Sequence, residues 1–573
     1  MKSVTIPRIL CVLCVLCGSS FSAAALDREA FTITKYDLEV RLEPEQRRLG
    51  ARGTITLRND SSEPQKTAAL QISSSLSWRA IKLGGKAVQY VTQPYFSDID
   101  HTGALSEAIV SLPAEIKPKD SVELEVGYEG TIPLDATRLT RAGVPEGIAK
   151  HASWDQISPA FTAVRGAGYV AWYPISTESA DFSEGNSLFE VVDRWKAREA
   201  ESAMAVKVCV EGRPDRRDIV LVGEEGVGWG SSHGAVPAEF CAQHRYLAPG
   251  LVTPTFVVAT YSPVIKPPLT LFGLEAHDAG AAKYLAAFDP ALAFVTEWFG
   301  KPAAPIAIAD VADPHAPPFE SGNLLLASMA DEDTKLAGIN LVHELVHSAV
   351  ASPRPWVYEG LAHFAEAVYR EEQGGRQAAL DLLGTHRAAF LDSEKEVAAS
   401  PTKGPAAALA TTFDETYYRS KAAYVWWMLR DMVGDDALKQ ALHQYRGAED
   451  KEPKYVERLI EAASKKDLGW FFDDWVYQDR GLPDVRVSAA HPWKTERAQM
   501  ITVTLENLGN AGAEVPFTIR GAGANVTARL EVRAKSTATM RLELSGGPAE
   551  IDVNDGSVPE SDVTNNTYKI PAQ

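Results

Sequence analysis

The run at positions 343–347 reads His-Glu-Leu-Val-His, and no other feature constrains this chain of 573 residues as much. Residues four apart lie on one face of a helix, so the imidazoles of His343 and His347 point the same way. Two such imidazoles can hold a zinc ion, and Glu344 between them can take a proton from the water that zinc activates. The run therefore predicts a catalytic zinc helix, and the alternative for so short a pattern is an ordinary surface helix with a charged turn.

A hydrolytic zinc site usually has three protein ligands and one open position, so a further ligand should lie on a neighbouring element. A Pro-Arg-Pro segment at 353–355 ends the zinc helix, and the apolar spacing after it predicts a second helix. Glu359, His363 and Glu366 lie at i, i+4 and i+7, so they share one face of this second helix. The turn between the two helices would bring that face back to the histidines.

These residues resemble a known family. His343 and His347, followed by Glu359 with its Gly-Leu-Ala, are similar to the gluzincin zinc metallopeptidases, most closely to the family of alanyl and leucyl aminopeptidases and leukotriene hydrolase. In that family the third ligand lies in an Asn-Glu-Gly-Phe-Ala segment, and another glutamate follows two helical turns later. The resemblance implies a zinc cofactor held by His343, His347 and Glu359, with Glu344 as the general base.

The segment between the second histidine and the third ligand departs from the family pattern. It covers eleven residues here, at 348–358, and it is longer in the family. The family spacing taken literally would reach Glu366 instead of Glu359. We favour Glu359 because it carries the glycine and small-residue context, and Glu366 then stands where a carboxylate would orient a ligand imidazole.

Two further segments carry the resemblance. Glu320 stands before the zinc helix, where the family has a Gly-x-Met-Glu-Asn strand whose glutamate binds the free amino group of the substrate. The helix that includes Tyr417 and Tyr418 looks like the family's Tyr-x-Lys-Gly helix, in which a tyrosine hydroxyl donates to the tetrahedral oxyanion. The resemblance therefore implies that Glu320 is the amine anchor and Tyr418 the oxyanion donor. An ordinary loop role for Glu320 and a competing role for Tyr417 stay open.

Hydrophobic patterning predicts a multidomain α+β chain. We expect a signal peptide at 1–25, an N-terminal β domain at 26–265 and a C-terminal β-sandwich module at 485–573, since alternating runs and turn signals fill both β regions. Helical spacing dominates 266–484, where the resemblance implies a thermolysin-like, mostly α-helical catalytic domain. The segment at 562–567 is expected to be the closing strand of the last module.

Acidic residues cluster near the end of the chain. They are read as solvated turns, and calcium binding is the alternative, although their spacing does not fit an EF-hand loop. The residues concerned are Asp552, Asp555, Glu560 and Asp562.

Cysteine usage and charge bear on location and partners. The leader would remove three of the five cysteines, and Cys209 and Cys241 then form a plausible disulfide in an oxidising compartment. The formal net charge of −19 argues against nucleic-acid binding and against a basic membrane patch. No segment after the leader looks long and apolar enough to span a membrane. The expectation is export to the periplasm or the medium.

The function that fits best is zinc-dependent hydrolysis of peptide or protein substrates, with an aminopeptidase preferred. One alternative is a zinc endopeptidase of the same architecture, because the Gly-x-Met-Glu-Asn pattern is largely lost. The other is a β-rich binding protein with an inactive metal site. An intact Glu344 argues against that second alternative, since a site without catalytic duty needs no base.

Overall fold

The structure is a computed structural model that describes most of the chain. It covers residues 26–184, 187–223, 226–230, 237–247, 249–330, 333–399, 408–412, 414–496 and 499–571, and it gives only the backbone at 389, 393 and 395–399. The predicted leader at 1–25 lies outside the described residues. No described helix combines the length and the apolar composition needed to cross a membrane.

The N-terminal region consists mainly of β-strands. They form a seven-stranded sheet of order β13-β10-β1-β2-β8-β4-β5, a three-stranded sheet β3-β7-β6 and a four-stranded sheet β12-β11-β14-β9. The strands are β1 (Phe31–Glu43), β2 (Arg48–Asn59), β3 (Gln65–Ser73), β4 (Leu76–Leu83), β5 (Lys86–Ala87), β6 (Gln89–Phe96), β7 (Ala104–Ile116), β8 (Ser121–Thr131), β9 (Thr162–Val164), β10 (Ala203–Glu211), β11 (Ile219–Val222), β12 (Gly226–Trp229), β13 (Glu239–Leu247) and β14 (Phe256–Ala259).

Alternation along β1 shows why this region folds as a sheet. Tyr36, Leu38, Val40 and Leu42 are buried, and the residues between them are more exposed, as one buried sheet face requires. The strand pairs antiparallel with β2 and parallel with β10. On β10, Cys209 lies directly opposite Cys241 of β13, and the two form a disulfide.

Among the described residues of the N-terminal region, three helices interrupt the strands, where the sequence predicted only β structure and loops. They are α1 (Thr137–Arg141), α2 (Glu146–Ala152) and α3 (Ser187–Arg198). In α3 the buried Leu188, Val191 and Trp195 lie at i, i+3 and i+7, and they join the hydrophobic cluster of the large sheet. Helical periodicity was therefore present in the sequence, in a segment short enough to be overlooked among strands.

The middle region carries a five-stranded sheet of order β15-β16-β17-β19-β18 and most of the helices. Its strands are β15 (Ser262–Lys266), β16 (Leu269–Gly273), β17 (Ile306–Asp310), β18 (Phe319–Ser321) and β19 (Leu324–Ala327). Its helices are α4 (Asp278–Phe299), α5 (Thr334–Ala349), α6 (Pro355–Gly374), α7 (Arg376–Ala399), α8 (Ala422–Val433), α9 (Asp435–Gln444), α10 (Tyr455–Ser464) and α11 (Gly469–Phe472).

Short helical turns complete the chain. In the part of the chain that the structure describes, two of these turns are π-helical, and the first, Thr416–Lys421, leads directly into α8. The others are the π-helix Asp473–Tyr477 and the 3₁₀ turns Pro44–Gln46, Glu275–His277 and Gly447–Glu449. Strand β15 spans the predicted boundary between 265 and 266, because it pairs with β16 in the sheet of the middle region.

The C-terminal region forms two small antiparallel sheets, β20-β21-β24 and β23-β22-β25-β26. Its strands are β20 (Val485–Lys494), β21 (Gln499–Asn507), β22 (Ala513–Gly521), β23 (Val526–Val532), β24 (Thr537–Leu544), β25 (Pro548–Val553) and β26 (Thr567–Lys569). The predicted bounds of the closing strand, 562–567, were wrong, since the strand begins at Thr567. The preceding Asp562 instead accepts hydrogen bonds from the backbone and hydroxyl of Thr564 in a turn.

The helices and the C-terminal sheets share one hydrophobic cluster. Trp475 is fully buried and donates from its indole to the carbonyl of Gly512 at 2.8 Å, and Phe517 and Ile551 belong to the same cluster as the helical core. The large N-terminal sheet has a cluster of its own. A third cluster packs β9, β11 and β14 against the sheet of the middle region.

The four C-terminal acidic residues do not converge. Asp552 pairs with Arg520, Asp555 pairs with Arg376, and Glu560 accepts from the backbone of Val485. Each carboxylate has a protein partner of its own, which accounts for it without calcium.

Candidate metal centre and active site

Helix α5 places the two histidines of the motif side by side. Asp333 caps the helix by accepting from the backbone N–H of Lys335 at 2.8 Å, which helps to satisfy the free N–H groups of the first turn. His343 and His347 lie one turn apart near the C-terminal end, both buried, and their Nε2 atoms are 3.0 Å apart. The helical spacing thus aims both imidazoles at one point.

Helix α6 returns along α5 and brings Glu359 to that point. It begins with Pro355 at its first position, where the missing N–H costs no helical hydrogen bond. Glu359 lies in its second turn and is buried. The ligand atoms of Glu320, His343, His347 and Glu359 all lie within 4.8 Å of one another.

Glu320 comes from β18 and touches both imidazoles. Its Oε2 lies 2.7 Å from Nε2 of His343, and its Oε1 lies 3.2 Å from Nε2 of His347. The residue predicted as the amine anchor is therefore beside the candidate ligands. Its carboxylate is close enough either to meet a substrate ammonium next to the metal or to serve as a ligand itself.

Glu366 lies on the opposite side of His343. Its Oε1 is 2.6 Å from Nδ1 of His343, and its Oε2 is 3.3 Å from Nδ1 of His363. A carboxylate that holds Nδ1 fixes the ring and leaves Nε2 to face the other donors. The geometry separates Glu366 from the Nε2 cluster that Glu359 joins, and it gives Glu366 the orienting position.

The donor set fits zinc. It offers two imidazole nitrogens and carboxylate oxygens from neighbouring elements, which is the ligand chemistry of a hydrolytic zinc site. Burial opposes a charge on His343, but Glu320 and then Glu366 outweigh this opposition and raise the pKa of its imidazole. Surroundings that draw a proton onto a buried imidazole favour a cation at that place.

Two cavities meet at this centre. The smaller, about 230 Å³, is lined by Glu320, His343 and Glu344, and the larger, about 760 Å³, is lined by His347. Residues that line both are Leu251, Val252, Gly322, Tyr358, Glu359 and Tyr418. The candidate metal centre therefore lies at a junction, with Glu344 facing the smaller cavity.

The two competing tyrosines point to different surroundings. Tyr418 is buried beside both cavities. Tyr417 has the ammonium of Lys421 4.9 Å from its ring centre, and it is not among the described residues that line either cavity. Only Tyr418 of this pair is placed to meet a bound substrate.

Sequence reasoning missed several residues of the site. Tyr358 stacks on the ring of His347 with centroids 3.8 Å apart, and Arg419 places its Nε 3.5 Å from Oε2 of Glu359. Each is the sequence neighbour of a predicted site residue, Glu359 or Tyr418, and this adjacency was the one signal in the sequence. Lys196 contacts Glu415 and Tyr418 from the N-terminal region, and its sequence position gave no signal.

Comparison with known proteins found matches among solved structures. No protein-family model matches the chain, and no curated protein sequence matches it. A solved structure that matches is a mutant M1 zinc metallopeptidase from Deinococcus radiodurans bound to a Tyr-Ser-Ala substrate. The match covers 79% of this chain and 96% of that one, with 16% sequence identity and a TM-score of 0.44. The matched protein is a zinc metallopeptidase, the class that the motifs resemble, but at this score the function proposed below depends on the chain's own residues.

Proposed function

We propose that this protein is an exported zinc metallopeptidase that acts as an aminopeptidase on peptide or protein substrates. The observation that carries the proposal is the convergence of His343, His347, Glu359 and Glu320 within 4.8 Å at the junction of two cavities, with Glu344 on the wall. His343, His347 and Glu359 would hold the zinc. Zinc would supply Lewis-acid polarisation of the scissile carbonyl and lower the pKa of water.

Glu344 is assigned the proton transfers. It lies next to His343 on α5 and lines the smaller cavity, so its carboxylate is in reach of a water molecule that attacks a bound peptide. It would take the proton of that water and deliver it to the leaving amine, which is the task of a general base that becomes a general acid. Tyr418 would donate its phenolic hydrogen to the oxyanion.

Glu320 supports exopeptidase action. Its carboxylate lines the smaller cavity, whose volume of about 230 Å³ lies below the roughly 300–1,000 Å³ usual for small-molecule pockets. A cavity of this size suits the end of a chain, and a carboxylate within it would form a charge-assisted hydrogen bond with a free α-ammonium. The larger cavity would then receive the rest of the peptide.

An endopeptidase is the second candidate, and one observation favours it. Glu320 contacts both ligand imidazoles, so it is also placed to act as a fourth ligand, and its carboxylate would then not be available to the amine. The choice between the two candidates therefore depends on what Glu320 binds.

A pair of matched peptides tests the proposal. The mature, zinc-loaded protein should trim peptides with a free N-terminus and cut N-acetylated versions poorly, and Glu320→Ala should remove most of this discrimination. Glu344→Gln keeps the shape of the side chain and removes its basicity, so hydrolysis should fall by at least ~10²-fold while zinc is retained. Equal internal cleavage of acetylated peptides would establish the endopeptidase instead. If neither peptide is hydrolysed, the protein is instead a β-rich binding protein with an inactive metal site.

Export is part of the proposal, and the disulfide supports it. Cys209 and Cys241 are bonded across β10 and β13, and such bonds persist in oxidising compartments such as the periplasm or the medium. Non-reducing peptide mapping of protein from that compartment should find the linked pair. Two free thiols in the same material would contradict it.

A further inference from the structure

A buried lysine from the N-terminal region reaches the oxyanion side of the site. Lys196 is near the end of α3, and its side chain is 7% exposed. Its ammonium forms an ion pair with Glu415 and lies 3.5 Å from the hydroxyl of Tyr418. Glu415 borders the smaller cavity, as does Tyr418. A charge from a separate β region is thus buried against the catalytic tyrosine.

The N-terminal core holds this lysine in place. Leu188, Val191 and Trp195 of the same helix are buried in the cluster of the large sheet. A buried ammonium is costly unless it is paired, and Glu415 supplies the pairing charge from the π-helical side. Helix α3 therefore cannot shift without breaking an ion pair whose ammonium is buried.

The chemistry of an ammonium decides what the contact does. Lysine has three donors and no acceptor, so the oxygen of Tyr418 must accept in this contact. The phenolic hydrogen then remains for another acceptor. Glu415 also contacts the phenol and can accept this hydrogen, but its charge is paired with Lys196, which makes the carboxylate a weaker acceptor. Lys196 thus holds the phenolic oxygen and offsets the pull of Glu415 on the hydrogen, so that the hydrogen can pass to an oxyanion formed in the cavity.

We propose that Lys196 is a positioning residue that holds the hydroxyl of Tyr418 as a donor towards the substrate, so that the N-terminal β region completes the active site. The inference rests on the proposed function, because it takes Tyr418 as the oxyanion donor. It assigns no contact with substrate to Lys196 itself.

A double-mutant cycle tests the coupling. Lys196→Met removes the charge and keeps an unbranched side chain, and it should lower kcat about tenfold with little change in KM and no loss of zinc. Tyr418→Phe should lower kcat about 10²-fold. In the Tyr418→Phe background, Lys196→Met should have no further effect, and Lys196→Arg should recover most of kcat in the native background.

A readout without turnover separates this inference from the proposed function. The Cζ resonance of Tyr418, labelled with ¹³C and assigned with Tyr418→Phe, should move in Lys196→Met even in metal-free protein. The matched control is Lys439→Met, which breaks the 2.5 Å ion pair with Glu297 on α4 and should leave both kcat and this resonance unchanged.

Two outcomes would overturn the inference. Equal losses of kcat from Lys196→Met in the native and Tyr418→Phe backgrounds would mean that the lysine does not act through the phenol. An unmoved Tyr418 resonance would mean the same. Lys196→Gln, which keeps an N–H donor without the charge, enters the same cycle if the methionine variant does not fold. If the protein cleaves no peptide but the Tyr418 resonance still moves in Lys196→Met, the proposed function is refuted, whereas the contact between Lys196 and Tyr418 is confirmed.

Discussion

The two β regions differ in a way that packing alone would not suggest. The C-terminal sheets share a hydrophobic cluster with the helices that carry the metal centre, yet no described residue after position 484 lines either cavity. The large N-terminal sheet has a separate cluster, yet its region supplies Leu251, Val252, Thr253 and Tyr169 to the cavity walls and Lys196 to Tyr418. A shared core shows how a region is stabilised, whereas its contribution to the chemistry shows at the cavity walls and in the side chains that contact them.

The largest expected effect is on zinc binding. If the two β regions differ only in what they add to the cavities, the helices should hold the metal without either of them. Glu359→Ala should lose nearly all bound zinc, since it removes a donor from the Nε2 cluster. Glu366→Ala should weaken zinc binding only about 10–100-fold, since it removes the group that orients His343. Zinc content after dialysis against a graded chelator distinguishes the two.

The control for this test is on the same helix. Glu372→Ala changes an exposed glutamate of α6 and should retain zinc fully. If the Glu359 variant retains zinc fully and the Glu366 variant loses it, Glu366 is the ligand, as the spacing in the family would predict.

A matched pair of core and cavity variants tests the comparison itself. Phe517→Ala in β22 empties a buried site of the shared cluster and should cost about 3–5 kcal/mol of unfolding free energy, with kcat and KM unchanged for the folded enzyme. Leu251→Ala removes a partly buried side chain from both cavity walls and should raise KM several-fold with a smaller loss of stability. Urea unfolding and steady-state kinetics measure the two effects. A kinetic defect in Phe517→Ala would show that the C-terminal region does influence the site.

Local periodicity accounts for what the sequence could predict. His343, His347 and Glu359 lie on two consecutive helices, so a spacing of four residues and one short turn were enough to bring them together. The choice between Tyr417 and Tyr418 was harder because Thr416–Lys421 is π-helical. A π turn contains more residues than an α turn, which displaces the side chains from the positions that a regular helix would give them.

Long-range contacts account for what the sequence could not predict. Lys196 and Tyr418 are 222 positions apart and belong to different regions, so no spacing rule connects them. The acidic residues near the end of the chain show the same limit. Asp555 pairs with Arg376, 179 positions away, and a cluster in sequence was therefore not a cluster in space.

The two β regions also differ in the pKa of a buried carboxyl group, and this difference has the smallest expected effect. Glu199, which follows α3, is buried and accepts from the hydroxyl of Tyr36 at 2.9 Å, and burial raises the pKa of its carboxyl to about 8. Burial also raises the pKa of Glu560 in the C-terminal region, but only to about 6, because donors such as the backbone N–H of Val485 oppose the effect. Glu199 should therefore give a stronger pH dependence of stability than Glu560.

The sign of that dependence follows from proton counting. Folded Glu199 keeps its proton up to about pH 8, whereas the unfolded carboxyl loses it near its ordinary pKa of 4.5. Between these values the folded state binds more protons, so its stability falls as pH rises. Glu199→Gln mimics the protonated form and should stabilise the protein by about 3 kcal/mol at pH 7, with no gain below pH 4.5.

Glu107 is the control in the same region, and it should behave in the opposite way. Its side chain is also buried, but hydrogen bonds led by the one from Nε of Arg28, at 2.7 Å, overcome the cost of burial and lower the pKa of its carboxyl. Its charge therefore stabilises the folded state above pH 4.5, and Glu107→Gln should destabilise the protein there. Thermal unfolding between pH 4 and 8 follows both variants. If Glu199→Gln destabilises at every pH, the ionised carboxylate is a stabilising partner of Tyr36, and the contrast between the two β regions does not extend to their buried charges.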